Sequence, residues 1–255
     1  MNTHFVYFSP TSTTKTVTHT MFDVCSFGLN VTEHDLTDLK HSGIRLNFSA
    51  DDLVIFGIPV YSGRVPKTAT DRFRNLCGNG APAILIATYG NRAYDDALLE
   101  LSDLAQSLGF VVIAATAIIA EHSVARKIAA GRPDVADKKV MQDFAEQIIE
   151  KYYSKKMDTP TIKGSRPFCK YQNIPFKPKG NNKCVDCGHC VELCPVGAIS
   201  RESPKQTNKS ICISCMRCVR FCPQDARCLS KMEEYIAYNF LARECKHKKA
   251  NMLFI

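Results

Sequence analysis

Four stretches of the chain are apolar at almost every position: residues 3–8, Leu53–Phe56, Ala83–Ala87 and Phe110–Ala120. Each is followed by a segment whose apolar residues recur every three to four positions. Val17, Met21, Val24 and Cys25 form the first such set, and Ala69 and Phe73 the second. Leu98, Leu101, Leu104, Ala105 and Leu108 form the third, and Val140, Phe144, Ile148 and Tyr152 the fourth. A strand buried on one face alternates apolar and polar residues, whereas one covered on both faces is apolar throughout. The pattern therefore predicts a parallel sheet with helices on both sides.

Pro66 suits the first turn of the second helix, and Asp95 and Asp96 the start of the third, where the helix dipole favours acids. Beyond Met157 the pattern breaks. Residues 158–182 hold Pro160, Pro167, Pro175, Pro178, Gly164 and Gly180 and read as a linker, with Phe168, Tyr171, Ile174 and Phe176 available to wrap it over a domain. The division expected is 1–157, a linker at 158–182, and 183–255. A last helix is predicted over Lys231–Lys248, with Met232, Ile236, Phe240 and Leu241 on one side. Leu253-Phe254-Ile255 either packs back on a domain or frays.

Charge reinforces the division. Residues 1–157 carry 16 basic and 17 acidic side chains, while residues 158–255 carry 17 and 8, a net of +9. The longest uncharged apolar run, Phe110–Ala120, is far short of the ~20 residues needed to cross a bilayer. No integral membrane segment is expected, and the chain starts without the basic region of a secretory signal.

Eight of the thirteen cysteines fall between Cys184 and Cys222. Cys184, Cys187, Cys190 and Cys194-Pro195 have the same spacing as Cys212, Cys215, Cys218 and Cys222-Pro223. This is the C-x2-C-x2-C-x3-C-P run of two-cluster bacterial ferredoxins, in which the fourth cysteine serves the other cluster. The expectation is two [4Fe-4S] clusters, one on Cys184, Cys187, Cys190 and Cys222, the other on Cys212, Cys215, Cys218 and Cys194. Structural zinc, which prefers two separated pairs around one ion, is the alternative. Cysteines used in this way imply a reducing, cytoplasmic compartment.

Ser9, Thr11, Ser12, Thr13 and Thr14 lie where the first strand turns into the first helix. Outward amides there, with added hydroxyls, suit a phosphate, although such runs also cap helices with no ligand. No Walker A lysine and no G-x-G-x-x-G is present, which leaves a monophosphate cofactor. Gly57–Tyr61 and Thr88–Tyr94 end two further strands, each with glycine for close approach and tyrosine for stacking.

With these motifs the chain resembles the bacterial flavodoxin–ferredoxin fusion family. The resemblance implies a flavodoxin-like doubly wound parallel sheet followed by a two-[4Fe-4S] ferredoxin-like α+β domain. It implies FMN, with Ser9, Thr11 and Thr14 on the phosphate, and with Tyr89-Gly90-Asn91-Arg92 and the Pro59–Gly63 loop beside the ring. Flavodoxins usually have glycine where this chain has Ser12. Tyr61, Thr88 and Tyr94 are further candidate contacts, and His122, after a strand end, is a candidate proton donor. Glu121-His122-Ser123 and Gly131–Asp134 also look like family features, without an evident role.

The function expected is electron transfer between FMN, the clusters and an external partner. The alternatives are a flavin-dependent reductase of a quinone or other small acceptor, or a ferredoxin whose flavodoxin-like part only docks. The basic second part predicts an acidic redox partner, tested at Lys205, Lys209, Arg217 and Arg220. Its dispersed cations and lack of a recognition motif argue against nucleic acid.

Overall fold

The computed structural model describes residues 2–22 and 31–255. Val24 and Cys25, expected on the first helix, lie outside the described residues. Five strands, β1 (Thr3–Tyr7), β2 (Val31–Asp35), β3 (Leu53–Pro59), β4 (Pro82–Tyr89) and β5 (Val111–Ile119), run parallel in the order β2-β1-β3-β4-β5. A sixth, β6 (Met252–Phe254), is antiparallel to β5, with Leu253 opposite Thr116. The chain end therefore completes the sheet rather than fraying.

Successive side chains along a strand alternate in direction, so the continuous apolar runs feed two cores. Phe5, Tyr7, Ile55, Ile84 and Ile86 face one way and pack with Val17 and Met21 of α1 (Thr13–Phe22) and Met141, Ala145 and Ile148 of α4 (Val135–Tyr153). Val6, Phe8, Val54, Phe56, Leu85 and Val112 face the other, against Phe73 of α2 (Lys67–Phe73) and Leu98, Leu101 and Ala105 of α3 (Ala97–Ser107). Pro66 is the N-cap of α2, as its fixed φ suits. Helix α4 opens with a reciprocal capping box between Asp134 and Asp137. β2 escaped notice in the sequence because Val31–Asp35 is a sheet edge, exposed or half-buried throughout.

The fold expected for residues 183–255 needs correction. These residues contribute two short helices, α5 (His189–Leu193) and α6 (Arg217–Arg220), and a two-residue strand Arg227–Cys228 that pairs with Lys179–Gly180. Helix α7 (Lys231–Glu244) follows, and then β6, which belongs to the main sheet. No metal-holding group forms among the described residues, so a separate cluster-binding ferredoxin domain is not what this part of the chain builds.

Helix α7 forms where periodicity predicts it, with most of its apolar side exposed. Met232, Ile236 and Phe240 are exposed, and Ala237 is the buried position. Among the described residues no helix is long and apolar enough to cross a membrane.

Candidate functional site

In a doubly wound sheet the strand order reverses at one point, and loops leaving the strands there open a crevice. Here that point lies between β1, which leads outward to β2, and β3, which leads the other way. The crevice is a cavity of about 540 Å³. That is within the ~300–1,000 Å³ usual for cofactor and small-ligand sites. Thr11, Thr13 and Thr14 stand at one end, and Tyr61, Tyr89 and His122 line the rest.

The first loop is held from within. The Ser9 hydroxyl accepts the Lys15 amide at 3.0 Å, and the Ser9 amide donates to Thr37 Oγ1 at 2.7 Å. Thr14 Oγ1 meets Thr88 Oγ1 at 2.6 Å, which joins the loop to the end of β4. Thr11 and Thr13 hydroxyls pair with each other at 3.1 Å and border the cavity. The first amides of α1 have no partner within the helix, as at any helix start. Lys15 pairs with Glu33 at 2.7 Å, so the donors offered to the cavity here are amides and hydroxyls, not an ammonium.

Ser12 has φ +62°, the left-handed region that glycine occupies without penalty. The usual glycine is absent, yet the turn it serves has formed. Ser12→Gly removes roughly 1–2 kcal/mol of strain. It gives back about 0.4–1 kcal/mol through a freer unfolded chain. A net gain of about 0.5–1 kcal/mol is expected in urea denaturation.

The second loop is a tight turn. Tyr61 and Arg64 exchange backbone hydrogen bonds at 3.0 and 3.1 Å around Ser62 (φ +52°) and Gly63 (φ +78°). Positive φ at both central positions is the type I′ pattern. Arg64 is fixed by both oxygens of Glu100, at 2.7 and 2.8 Å. Tyr61 is buried, and burial, with Cys215, Tyr171 and Cys212 nearby, raises its phenol well above the usual value. It is therefore a neutral wall of the cavity.

The third loop divides the predicted residues. Tyr89 and Gly90 line the cavity, with the Tyr89 phenol pushed up to about 12 by burial and then by Tyr94. Tyr94 is not a lining residue; it packs edge-on against Tyr89 at 5.5 Å. Ser9, Ser12 and Asn91 are likewise not among the lining residues. Asn91 is buried and donates to the carbonyls of Cys245 (3.2 Å) and His247 (3.0 Å) while accepting the Lys249 amide (3.0 Å). It clamps the chain's end and not a ring. Pro59, Gly63, Thr88 and His122 do line the cavity.

Two walls were not expected. Residues 169–176 pass along the cavity, with Cys169, Ile174 and Phe176 among its lining, and so do Phe240, Leu241 and Glu244 of α7. Asp96 carries the first of these. Instead of capping α3, its carboxylate accepts the amides of Ser165 (2.8 Å) and Cys169 (2.7 Å). Lys177 fastens the far end to the Cys212 carbonyl at 2.6 Å and the Ser214 hydroxyl at 3.0 Å. The aromatic residues spaced through this proline-rich stretch were the available signal.

The cysteine repeat does not form the expected metal centres. Among the described residues no group of three or more His, Cys, Asp or Glu side chains is placed to hold a metal ion. The sulfurs instead have local partners. Cys194 and Cys222 accept the amides of Ala198 and Ala226 at 3.1 and 3.3 Å, and Cys212 accepts that of Ser214 at 3.5 Å. Cys190 donates to the Pro204 carbonyl at 3.8 Å, and Cys184 to Asp186 at 3.6 Å. Burial raises the thiols of Cys190 and Cys215, and that of Cys218 to about 11. Sequence spacing sets intervals along the chain, whereas ligation needs four sulfurs arranged around one cubane, each on its own iron. The assignment of Cys184, Cys187, Cys190 and Cys222 to one [4Fe-4S] cluster, and of Cys212, Cys215, Cys218 and Cys194 to the other, is corrected on this ground. The electron path through two clusters, with both alternatives built on it, and the fusion-family assignment as a whole fall with it.

The strand order 2-1-3-4-5, with helices on both faces and a cavity at the switch point, defines a flavodoxin-like fold. It resembles the fold of electron-carrying flavodoxins.

Comparison with known proteins adds the following. Residues 183–227 match the family described as "4Fe-4S dicluster domain", which covers less than a fifth of the chain. That match and the placement of the sulfurs disagree. No curated protein matches. Among solved structures, rubredoxin oxygen:oxidoreductase from Desulfovibrio gigas is 15% identical with a TM-score of 0.43, covering 60% of this chain and 36% of that one. This chain thus spans about a third of that protein's length. Flavodoxin 2 from Bacillus cereus is 13% identical with a TM-score of 0.43, over 59% of this chain and 99% of that one. A flavodoxin from Streptococcus pneumoniae TIGR4 is 17% identical with a TM-score of 0.40, over 59% and 99%. The fold assignment rests on strand order and not on these likenesses.

Proposed function

We propose that the switch-point cavity binds FMN and that the chain is an electron-transfer flavoprotein. One observation carries this reading: a single cavity joins the amide-rich start of α1, bordered by Thr11, Thr13 and Thr14, to a compartment walled by Tyr61 and Tyr89. The first end has the donors a phosphate needs, and the second has the flat apolar walls a fused ring needs. Thr11, Thr13 and Thr14 would hold the phosphate, and Pro59, Tyr61, Gly63, Thr88, Tyr89 and Gly90 would surround the ring. When bound, FMN takes up or releases one or two electrons. The protein's part is to position the ring, exclude water and set the local electrostatics.

An acidic redox protein is the partner that the charge distribution supports, since residues 158–255 carry a net of +9. Lys205, Lys209 and Arg220 are exposed. Arg217 leaves the expected docking set, because it is buried and paired with Asp38 at 2.6 Å.

Titration of the full chain with FMN, followed by quenching of flavin fluorescence, is expected to show one site per chain. Riboflavin, which lacks the phosphate, should bind at least tenfold more weakly. Thr11→Glu, which sets a carboxylate at the phosphate end, should weaken FMN by at least tenfold and leave riboflavin unchanged. Failure to bind FMN, or equal affinity for riboflavin, overturns the reading.

A further inference from the structure

His122 was a candidate proton donor from its place after a strand end, but its surroundings give it a different role. Its Nδ1 accepts the amides of Val124 and Ala125, each at 3.2 Å. A nitrogen that accepts two N–H groups carries no proton of its own, so in the neutral ring the hydrogen sits on Nε2. Nε2 has no hydrogen-bond partner among the described residues, and His122 borders the cavity. The ring is also wedged in place. A Cβ built on Gly90 would lie 2.4 Å from His122 Cδ2 and 2.7 Å from Cβ and Cγ. The glycine of the third loop thus makes room for this imidazole as well as for a ligand. Burial, then the charge of Arg92, holds the imidazole down to about 4, so the ring is neutral near pH 7.

We propose that His122 is a fixed, neutral hydrogen-bond donor that presents Nε2–H to the ring of the cavity's flavin and binds the reduced, more electron-rich ring more tightly than the oxidised one. The inference rests on the FMN reading above. It makes His122 a hydrogen-bonding group that keeps its proton, not an acid that gives it up. A donor aimed at an acceptor strengthens as that acceptor gains negative charge, and charge-assisted hydrogen bonds are roughly twice as strong as neutral ones. Within a protein cavity, where the local dielectric is lower than that of water, the difference is screened less than in bulk solvent.

The test has two arms on the full-length chain. In the first, nitrogen NMR of the protein without flavin is expected to show His122 as the neutral Nε2–H tautomer from pH 5.5 to 8. A charged ring or the Nδ1–H tautomer at pH 7 overturns the proposal whatever the flavin does. In the second, His122→Asn keeps an acceptor for the two amides and offers a shorter donor, and His122→Ala removes both. Oxidised FMN affinity should change less than about threefold in His122→Asn. Reduced FMN should bind His122→Ala about tenfold more weakly relative to oxidised FMN. For a two-electron couple that is a fall of about 30 mV in midpoint potential. His122→Asn should lie between the two. FMN binding with the same potential in all three proteins overturns this inference and leaves the FMN reading standing, whereas failure of the unmodified chain to bind FMN overturns both.

Discussion

Replacing Arg72 with alanine is expected to cost about 3–5 kcal/mol of stability. The guanidinium is buried on α2, above the ring of Phe8 at 5.6 Å. Its Nη1 donates to the carbonyls of Leu36 and Thr37, just past β2, and its Nη2 donates to the carbonyl of Pro195 in the cysteine-rich segment. One side chain therefore ties together three parts of the chain that lie far apart in sequence. Burial lowers its pKa, partly offset by Asp38, which also pairs with Arg217. Alanine leaves three carbonyls without their donor, at ~1–3 kcal/mol for each that stays buried. Arg72→Lys keeps the charge but not the fork, and should recover less than half of the loss. Urea denaturation measures the cost. Hydrogen exchange should quicken around residues 36–38 and 195–198 together, and a change confined to one of them would break the tether argument.

Asn91→Ala is expected to cost about 2–4 kcal/mol and to loosen the chain's end. The amide group satisfies two carbonyls and one N–H of residues 245–249, and Asn91 itself is 5% exposed. Its φ of +63° adds to the cost, since asparagine tolerates the left-handed region better than alanine does. The effect should spread. The segment it clamps leads into β6, and on the way Asn251 Oδ1 accepts the amide of Ile119 at 2.9 Å, at the end of β5. Tyr89 also donates to the Ala250 carbonyl at 3.3 Å. Two of the cavity's loops are thus braced by the last residues of the chain. Limited proteolysis should cut Asn91→Ala between residues 245 and 251 well before global unfolding, and FMN affinity should fall with it. Asn91→Asp keeps the acceptor for Lys249 but sets a negative charge against two carbonyls, so it should rescue little. Cleavage no faster than in the unmodified chain would show that β6 is held without this clamp.

These two residues show which features were legible from sequence. Four strands and five helices were legible, because a strand covered on both faces is apolar throughout and a helix repeats near 3.6 residues, and both are properties of the local chain. The hydroxyl-rich loop was legible for the same reason: Thr11, Thr13 and Thr14 sit at a helix start wherever the helix packs. Edge strand β2 carries no such run, and β6 has three residues, too few for a period.

Everything that depends on a distant partner was decided by the tertiary structure. Asn91 reads as a ring contact until residues 154–158 positions away take up its amide. Asp96 reads as an acid at a helix start, favoured by the dipole, until Ser165 and Cys169 arrive at its carboxylate. Helix α7 has an apolar stripe by periodicity, but the fold buries Ala237 and leaves Met232, Ile236 and Phe240 exposed, Phe240 along the cavity. His122 becomes a neutral donor only because two amides and Gly90 meet its ring. The cysteine repeat is the sharpest case. Its spacing is a one-dimensional quantity, and it agrees with a known cluster-binding pattern. Whether four sulfurs surround one cubane is a three-dimensional quantity set by the backbone path, and here the sulfurs find amides and carbonyls instead. Periodicity and loop composition therefore determined the sheet and the phosphate-sized end of the cavity, while long-range packing decided which side chains face the cavity and which hold it together.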